Sequence, residues 1–167
     1  PASRRRGGAT RSTLSPERQR ARAAAAPGPR LLVAVDGSPS SLGAVRHAAR
    51  RARDHPGLEL HLLNVQPPMP SAISSFLSPE ALRGYHEDEG RKALAAARAI
   101  VDEAGLRAES HIAIGPVAET IVDYAAEQGC AEIVMGCRGL GAVPGLLLGS
   151  TTTKVLHLSG GVVTLVK

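Results

Sequence analysis

Residues 132–150 read Glu-Ile-Val-Met-Gly-Cys-Arg-Gly-Leu-Gly-Ala-Val-Pro-Gly-Leu-Leu-Leu-Gly-Ser, and they constrain the interpretation of the chain more than any other segment. The apolar run Ile133–Met135 predicts a buried strand that ends at Gly136. Gly139 follows after two residues and Gly149-Ser150 after nine more, where a helical pattern begins. Glycines between a strand and a helix N-terminus let backbone N–H groups approach an anion, and the helix dipole favours its charge. The segment therefore predicts a phosphate-binding loop.

The composition limits the class of protein. The chain has 167 residues, enough for one domain with a substantial core, but it contains one Phe, no Trp and two Tyr. The core must therefore consist of Val, Leu, Ile and Ala, and a surface that stacks aromatic rings on single-stranded nucleic acid is disfavoured. The net charge of +5 comes from residues 1–30, which carry +7, whereas the remainder carries −2. We expect no nucleic-acid partner.

Residues 1–29 form an Arg-, Ala-, Ser-, Gly- and Pro-rich tail. With almost no aliphatic side chains beyond Ala, the tail cannot repay the entropy of ordering, so we predict that it is disordered and that the folded domain spans residues 30–167. Besides a solvated tail, the composition is compatible with an organelle import signal, a nucleic-acid arm or a wrongly assigned start.

Two cysteines, Cys130 and Cys137, are too few for a disulfide framework. The predicted strand between them separates them by roughly 20 Å, which is beyond the reach of a disulfide. Free thiols fit a reducing compartment, so we expect a cytoplasmic location. No apolar run approaches the roughly 20 residues that cross a membrane, and no membrane partner is expected.

Apolar runs and helical periodicities alternate along the folded part. Strands are predicted at 30–35, 58–65, 106–114, 131–135 and 162–166, and the third, which is polar, suits a sheet edge. Helices are predicted from Ser38-Pro39 and Ser78-Pro79, which combine an N-cap with a first-turn proline, and from Gly115-Pro116 and Ser150. Gly84 and Gly90 predict a ragged start to the second helix, and 67–77 is predicted as a long loop.

This alternation predicts an α/β fold, a doubly wound five-stranded parallel sheet with helices on both faces. Ligands of such sheets bind at the carboxyl ends of strands where the winding direction reverses. Placing the first strand, which ends at Asp36, beside the fourth, which ends at Gly136, gives the strand order 3-2-1-4-5. The order predicts one site between the acid and the glycine loop. Taken alone, Asp36 would only form a turn with Gly37, and the loop is what favours a functional role.

From Arg30 to Lys167 the chain resembles the universal stress protein family, and specifically its ATP-binding branch. The resemblance rests on the complete spacing Gly-x-x-Gly-x(9)-Gly-Ser, on Val-Asp-Gly-Ser after the first strand, and on Asn-Val, Gly-Pro, Val-Met-Gly and Val-Thr-Leu-Val farther along. It implies an adenine nucleotide alpha hydrolase-like, Rossmann-like fold. It also implies a regulatory module of the stress response that binds ATP, with Mg²⁺ held through the phosphates, and a homodimer formed through the last strand.

The resemblance assigns roles to individual positions. It implies that Asp36 contacts the ribose and that Val65 meets the adenine through its backbone. The glycine loop and its hydroxyls would hold the phosphates, and Arg138 either offers charge to a phosphate or is a solvated loop arginine. The complete predicted set is Ala34, Val35, Asp36, Val65, Met135, Gly136, Arg138, Gly139, Gly149, Ser150, Thr151 and Thr152. We expect Gly136→Val to abolish binding with little loss of folding.

Two departures from the family pattern stand out. Cys137 replaces the usual Ser or Thr and leaves the glycines unchanged. Gly161-Val162 replaces the usual Cys-Pro before the last strand, which makes the dimer geometry the less secure inference. A redox role for Cys137 is disfavoured because no second cysteine lies within reach.

The sequence lacks several common catalytic motifs. It lacks Gly-Lys-Ser/Thr, Gly-x-Ser-x-Gly and His-Glu-x-x-His, and no acid is placed to polarise an attacking water. We therefore expect no catalytic residues. Two alternatives remain, a slow Mg²⁺-dependent ATPase or phosphotransferase and a dimerisation module with a vestigial site, and the protein partner is unknown. The six histidines show no metal-ligand spacing on a common face, so no metal site is predicted.

Overall fold

The computed structural model describes residues 28–140 and 148–167. The predicted disordered tail, up to residue 27, and residues 141–147 of the predicted glycine loop lie outside the described residues.

The described residues form one parallel sheet of five strands with helices between the strands. The strand order is β3-β2-β1-β4-β5, which confirms the predicted fold and topology. The elements are β1 (Arg30–Ala34), α1 (Pro39–Asp54), β2 (Glu59–Gln66), α2 (Ser71–Ser74), α3 (Pro79–Glu103), β3 (Ala108–Ile114), α4 (Val117–Glu127), β4 (Cys130–Gly136), α5 (Ser150–Leu158) and β5 (Val162–Val166).

β1 lies at the centre of the sheet and is buried on both faces. Because successive side chains of a strand point to opposite faces, Leu31 and Val33 pack into one core, against α1 and α3. Leu32 and Ala34 pack into the other core, against α4 and α5. Burial on both faces explains why β1 reads as a continuous apolar run.

The predicted helix caps are present. The Ser38 hydroxyl oxygen accepts a hydrogen bond from the Ser41 N–H at 3.2 Å, and Pro39 occupies the first helical turn of α1. Ser78 caps α3 in the same way, through the Ala81 N–H at 3.1 Å. These caps fix the start of each helix at the residue that the sequence indicates.

Two local predictions are wrong. The loop 67–77 contains a short helix, α2, and α3 is continuous rather than ragged through Gly84 and Gly90. Gly90 is buried, and a Cβ there would lie 2.6 Å from Ile112 Cγ2. The glycine therefore allows α3 to approach β3 closely, a packing role that the local sequence does not reveal. None of the helices in the described ranges is long and apolar enough to cross a membrane.

Candidate functional site

A pocket of about 250 Å³ opens at the carboxyl ends of β1 and β4, where the winding of the sheet reverses. It is enclosed by the ends of β1, β2 and β4, by α4 and by the start of α5. All twelve residues of the predicted set line this pocket. Six further described residues line it that the sequence analysis did not select: Ser41, Leu63, Val117, Ile121, Leu140 and Leu148.

One side of the pocket is apolar. Leu63 and Val65 approach it from β2, Met135 from β4, and Val117 and Ile121 from α4. Val117 and Ile121 recur at helical spacing, which indicates an apolar face of α4 but not what that face contacts. Only the position of α4 along β2 shows that the face continues into the pocket.

Asp36 lies at the centre of the pocket and joins the end of β1 to the glycine loop. Its Oδ1 accepts a hydrogen bond from the Ser38 N–H at 2.9 Å, and its Oδ2 accepts one from the Leu140 N–H at 3.1 Å. Partial burial opposes ionisation, but hydrogen bonds from Ser38, Ser41 and Leu140 outweigh it and hold the pKa of Asp36 below its ordinary value. The group is therefore a carboxylate at neutral pH, and its remaining lone pairs can accept hydroxyl donors.

Two glycines of the loop have steric roles that differ from the predicted one. A Cβ at Gly139 would lie 2.5 Å from Asp36 Oδ2, so glycine allows the loop to meet the carboxylate. A Cβ at Gly136 would lie 2.5 Å from Ser40 Oγ and 2.7 Å from the Ser40 carbonyl carbon. Gly136 is thus required for packing β4 against the start of α1. The expectation that Gly136→Val would spare the fold is wrong for this reason.

The N-terminus of α5 faces the pocket. Gly149 is its N-cap, and no side chain caps the helix. The Gly149 N–H donates to the Cys137 carbonyl oxygen at 2.8 Å, so this amide is already used inside the loop. The N–H groups of Ser150, Thr151 and Thr152 begin the helix and have no intrahelical acceptor. They give this side of the pocket the positive end of a helix dipole.

The side chains at the start of α5 differ in whether their hydroxyl groups are free to contact a molecule in the pocket. Ser150 is exposed, whereas Thr152 is buried and its hydroxyl donates to the Gly136 carbonyl oxygen at 3.1 Å. The Thr152 side chain therefore ties α5 to the end of β4, and only its backbone N–H is left for a ligand. Arg138 is exposed at the rim of the pocket.

A buried amide that the sequence analysis did not single out holds the ends of β1 and β2 together. Asn64 Nδ2 donates to the Val35 carbonyl oxygen at 2.8 Å, and Gln66 Nε2 donates to Asn64 Oδ1 at 2.7 Å. The Val35 N–H donates to the Leu63 carbonyl oxygen at 2.8 Å. A polar residue inside the apolar run of β2 is the signal that points to this network.

The pocket combines three kinds of surface. It has an apolar wall, a carboxylate and a set of backbone N–H donors, and these suit a ligand with a flat apolar ring, hydroxyl groups and an anionic group. Among the described residues that line it, Asp36 is the only carboxylate and Arg138 is the only cationic side chain.

Comparison with known proteins identifies similar chains. The model of the universal stress protein family matches residues 29–167. The universal stress protein YxiE of Bacillus subtilis is 34% identical over 138 residues, which cover 78% of this chain and 93% of the relative. A universal stress protein of Mycolicibacterium smegmatis is 33% identical over 141 residues, which cover 81% of this chain. The aligned part spans 47% of that relative's length, about half of it.

A solved structure is similar over nearly its whole length. The crystal structure of a universal stress protein in complex with cAMP has a TM-score of 0.59 and 25% sequence identity. The similarity covers 85% of this chain and 99% of that one.

Proposed function

The chain belongs to the universal stress protein family, and from this premise we propose that it binds ATP and acts as a nucleotide-dependent regulatory module in the stress response. The observation that carries the proposal is the pocket at the β1/β4 switch point. There an apolar wall, the Asp36 carboxylate and the N-terminus of α5 surround one cavity of about 250 Å³. Similarity to a universal stress protein in complex with cAMP supports an adenine nucleotide as the ligand class.

Each part of the nucleotide has a complementary surface in the pocket. The adenine ring suits the apolar wall, beside the backbone of Val65, and the ribose hydroxyls suit Asp36. The phosphates suit the start of α5, where the N–H groups of Ser150 and Thr151 are available and where the dipole favours negative charge. Arg138 is placed to offer a further positive charge. Mg²⁺ would be held through the phosphates of the bound nucleotide.

A regulatory role fits this pocket better than a catalytic one. Phosphoryl transfer requires dedicated cationic groups and a positioned nucleophile. The single carboxylate among the described lining residues, Asp36, already holds the N–H groups of Ser38 and Leu140. We expect ATP hydrolysis to be weak or absent.

We further propose that the protein is a cytoplasmic homodimer. β5 forms one edge of the sheet, and its first residue, Val162, is 60% exposed. An exposed apolar edge strand offers unpaired backbone groups to a second strand, which supports pairing with another copy. The free thiols of Cys130 and Cys137 support a reducing compartment.

The test combines nucleotide analysis with a charge substitution. Nucleotide is released from purified protein by denaturation and identified, and binding of ATP and adenosine is measured by calorimetry. In Ser150→Glu, a carboxylate occupies the place proposed for the phosphates. Acids near a helix N-terminus stabilise the helix by about 0.3–1 kcal/mol, so folding should be preserved. Ala81→Glu adds the same charge near the start of α3, away from the pocket, and serves as the control.

The proposal predicts that Ser150→Glu weakens ATP binding at least about tenfold, equivalent to about 1.4 kcal/mol, and leaves adenosine binding nearly unchanged. Ala81→Glu should behave as the wild type. Equal ATP affinity in all three proteins would remove the phosphate role of α5, and absence of nucleotide binding in the wild type would contradict the proposal. Appearance of ADP with time would instead indicate an ATPase.

A further inference from the structure

A second group of polar side chains lies away from the pocket, on the face of the sheet that carries Leu63 and Val65. β2 and β3 pair in parallel with His61 opposite Glu109 and Leu63 opposite His111. This register places His61, Glu109 and His111 on one face, and one possible ligand atom from each lies within 4.8 Å of the other two. The sequence analysis found no common face for the histidines, because the strands that carry these residues are far apart in the chain.

The distances are close to those of a coordinated ion. Glu109 Oε2 lies 3.4 Å from His111 Nε2 and 4.0 Å from His61 Nδ1. A tetrahedral Zn²⁺ site with bonds of about 2.0–2.1 Å keeps its ligand atoms roughly 3.3–3.4 Å apart. The two imidazole rings are stacked nearly parallel, at 10°. Because an imidazole nitrogen binds a metal through a lone pair in the plane of its ring, the His111 ring must rotate for all three donors to bind one ion.

The cluster combines one fixed ligand with two adjustable ones. His61 is 2% exposed, and its Nδ1 lies 3.1 Å from the hydroxyl of Tyr124 on α4. The side chains of Glu109 and His111 are 70% and 40% exposed on the edge strand. An ion can thus enter from solvent, and the exposed ligands can move to complete its coordination.

The electrostatic surroundings allow a cation. The atom of His61 nearest to Glu109 is Nδ1, which also lies 3.1 Å from the Tyr124 hydroxyl, so an ion would take the place of that hydroxyl contact or share it. Nε2 is buried without a hydrogen-bond partner among the described residues. The Arg30 guanidinium also acts on His61, but it is ion-paired with Glu59 at 2.8 Å.

We propose that His61, Glu109 and His111 form a binding site for Zn²⁺, with water or the Tyr124 hydroxyl at the fourth position. Two imidazoles and one carboxylate are a donor set that suits Zn²⁺, whereas Mg²⁺ and Ca²⁺ require mostly oxygen ligands. The ion would connect the edge strand β3 to β2. Because only the folded chain brings the ligands together, binding stabilises the fold. This site does not depend on the proposed nucleotide function.

The test uses the untagged 167-residue chain, freed of metal with a chelator and titrated with Zn²⁺ by calorimetry. Glu109→Gln removes a ligand at an exposed position and His111→Ala one at a half-buried position of the edge strand, so the variants are expected to fold. His55→Ala removes an exposed histidine outside the cluster and is the matched control. Circular dichroism checks the fold of each variant, and the melting temperature is measured with and without Zn²⁺.

We expect one Zn²⁺ per chain and a rise in melting temperature for the wild type and for His55→Ala. His111→Ala and Glu109→Gln should each lower the affinity at least about 100-fold, more than the 10- to 100-fold cost of losing an outer-shell partner. Co²⁺ should give the visible absorption of a tetrahedral site in the wild type but not in His111→Ala. Lack of stoichiometric binding by the wild type, or equal binding by all variants, would overturn the proposal.

Discussion

The contact between β2 and α4 has two ends that are built in different ways. β2 places His61, Leu63 and Val65 on the same face. At the carboxyl end of β2, Leu63 and Val65 line the pocket together with Val117 and Ile121 of α4. At the amino end, His61 contacts Tyr124, one helical turn beyond Ile121, and joins Glu109 and His111.

The difference lies in which atoms form each site. At the pocket, the polar groups proposed to face the ligand are mostly backbone N–H groups, and glycines such as Gly139 let the loop approach Asp36. At the other end, the groups are side chains from two strands. A site of backbone groups depends on how the chain turns, whereas a site of side chains depends on the register between strands. The two ends should therefore respond to different substitutions.

The largest effect is expected for Gly136→Val, which tests whether the pocket end depends on close backbone packing. The added Cβ would lie 2.7 Å from the Ser40 carbonyl carbon, so β4 or α1 must shift. We expect the free energy of unfolding, measured by urea denaturation, to fall by about 1–3 kcal/mol or more. At Gly149, a Cβ would meet its nearest atoms at 3.6 Å, and Gly149→Ala should cost less than about 1 kcal/mol. Equal losses in the two variants would contradict this assignment.

A second, intermediate effect separates the two ends by their ligands. Asp36→Ala removes the acceptor proposed for the ribose and should weaken ATP binding by about 1–3 kcal/mol, while Zn²⁺ affinity stays unchanged. His111→Ala should weaken Zn²⁺ binding and leave ATP affinity unchanged. Asp102→Ala, which removes an exposed carboxylate from α3, is the control for loss of charge. If Asp36→Ala also abolishes Zn²⁺ binding, the two ends are not independent.

The smallest effect concerns the pH dependence of the free energy of unfolding. His61 and Asp36, one at each end, should each lower it in a different pH range. Burial lowers the pKa of His61, so the unfolded chain binds an additional proton below about pH 6.5. Stability should therefore fall as the pH drops from about 6.5 towards the folded pKa, by at most about 1.4 kcal/mol per pH unit. For Asp36, burial is outweighed by hydrogen bonds that lower the pKa. The contribution of Asp36 to the free energy of unfolding is present above about pH 4 and is lost as the pH falls further.

Urea denaturation between pH 7.5 and pH 3, in the presence of a chelator, measures both contributions. His61→Gln should flatten the dependence just below about pH 6.5, and Asp36→Asn should flatten it below about pH 4. A His61→Gln profile parallel to that of the wild type would show that this histidine does not titrate differently in the folded chain.

Most of the fold follows from local sequence signals. Buried strands give continuous apolar runs. The pairs Ser38-Pro39 and Ser78-Pro79 mark the starts of α1 and α3. The parallel topology and the strand order follow from the alternation of strands and helices and from the positions of Asp36 and Gly136. The predicted residues meet at one pocket because strand ends at a switch point are adjacent in every sheet of this kind.

What the sequence did not predict depends on contacts between distant segments. The steric role of Gly136 comes from Ser40, and that of Gly90 comes from Ile112. The His61–Glu109–His111 cluster requires the register of β2 and β3. Spacing within one segment carries no information on these contacts, since each is set by packing between elements that the sequence places far apart.

Backbone amide shifts of ¹⁵N-labelled protein during a titration with ATP decide whether the pocket binds the nucleotide, because they report on the pocket and on the His61 cluster at once. We expect the largest shifts at Val65, Gly139, Ser150 and Thr151, with little change at Glu109 and His111. Unchanged amides at the start of α5, or shifts centred on β3, would contradict it.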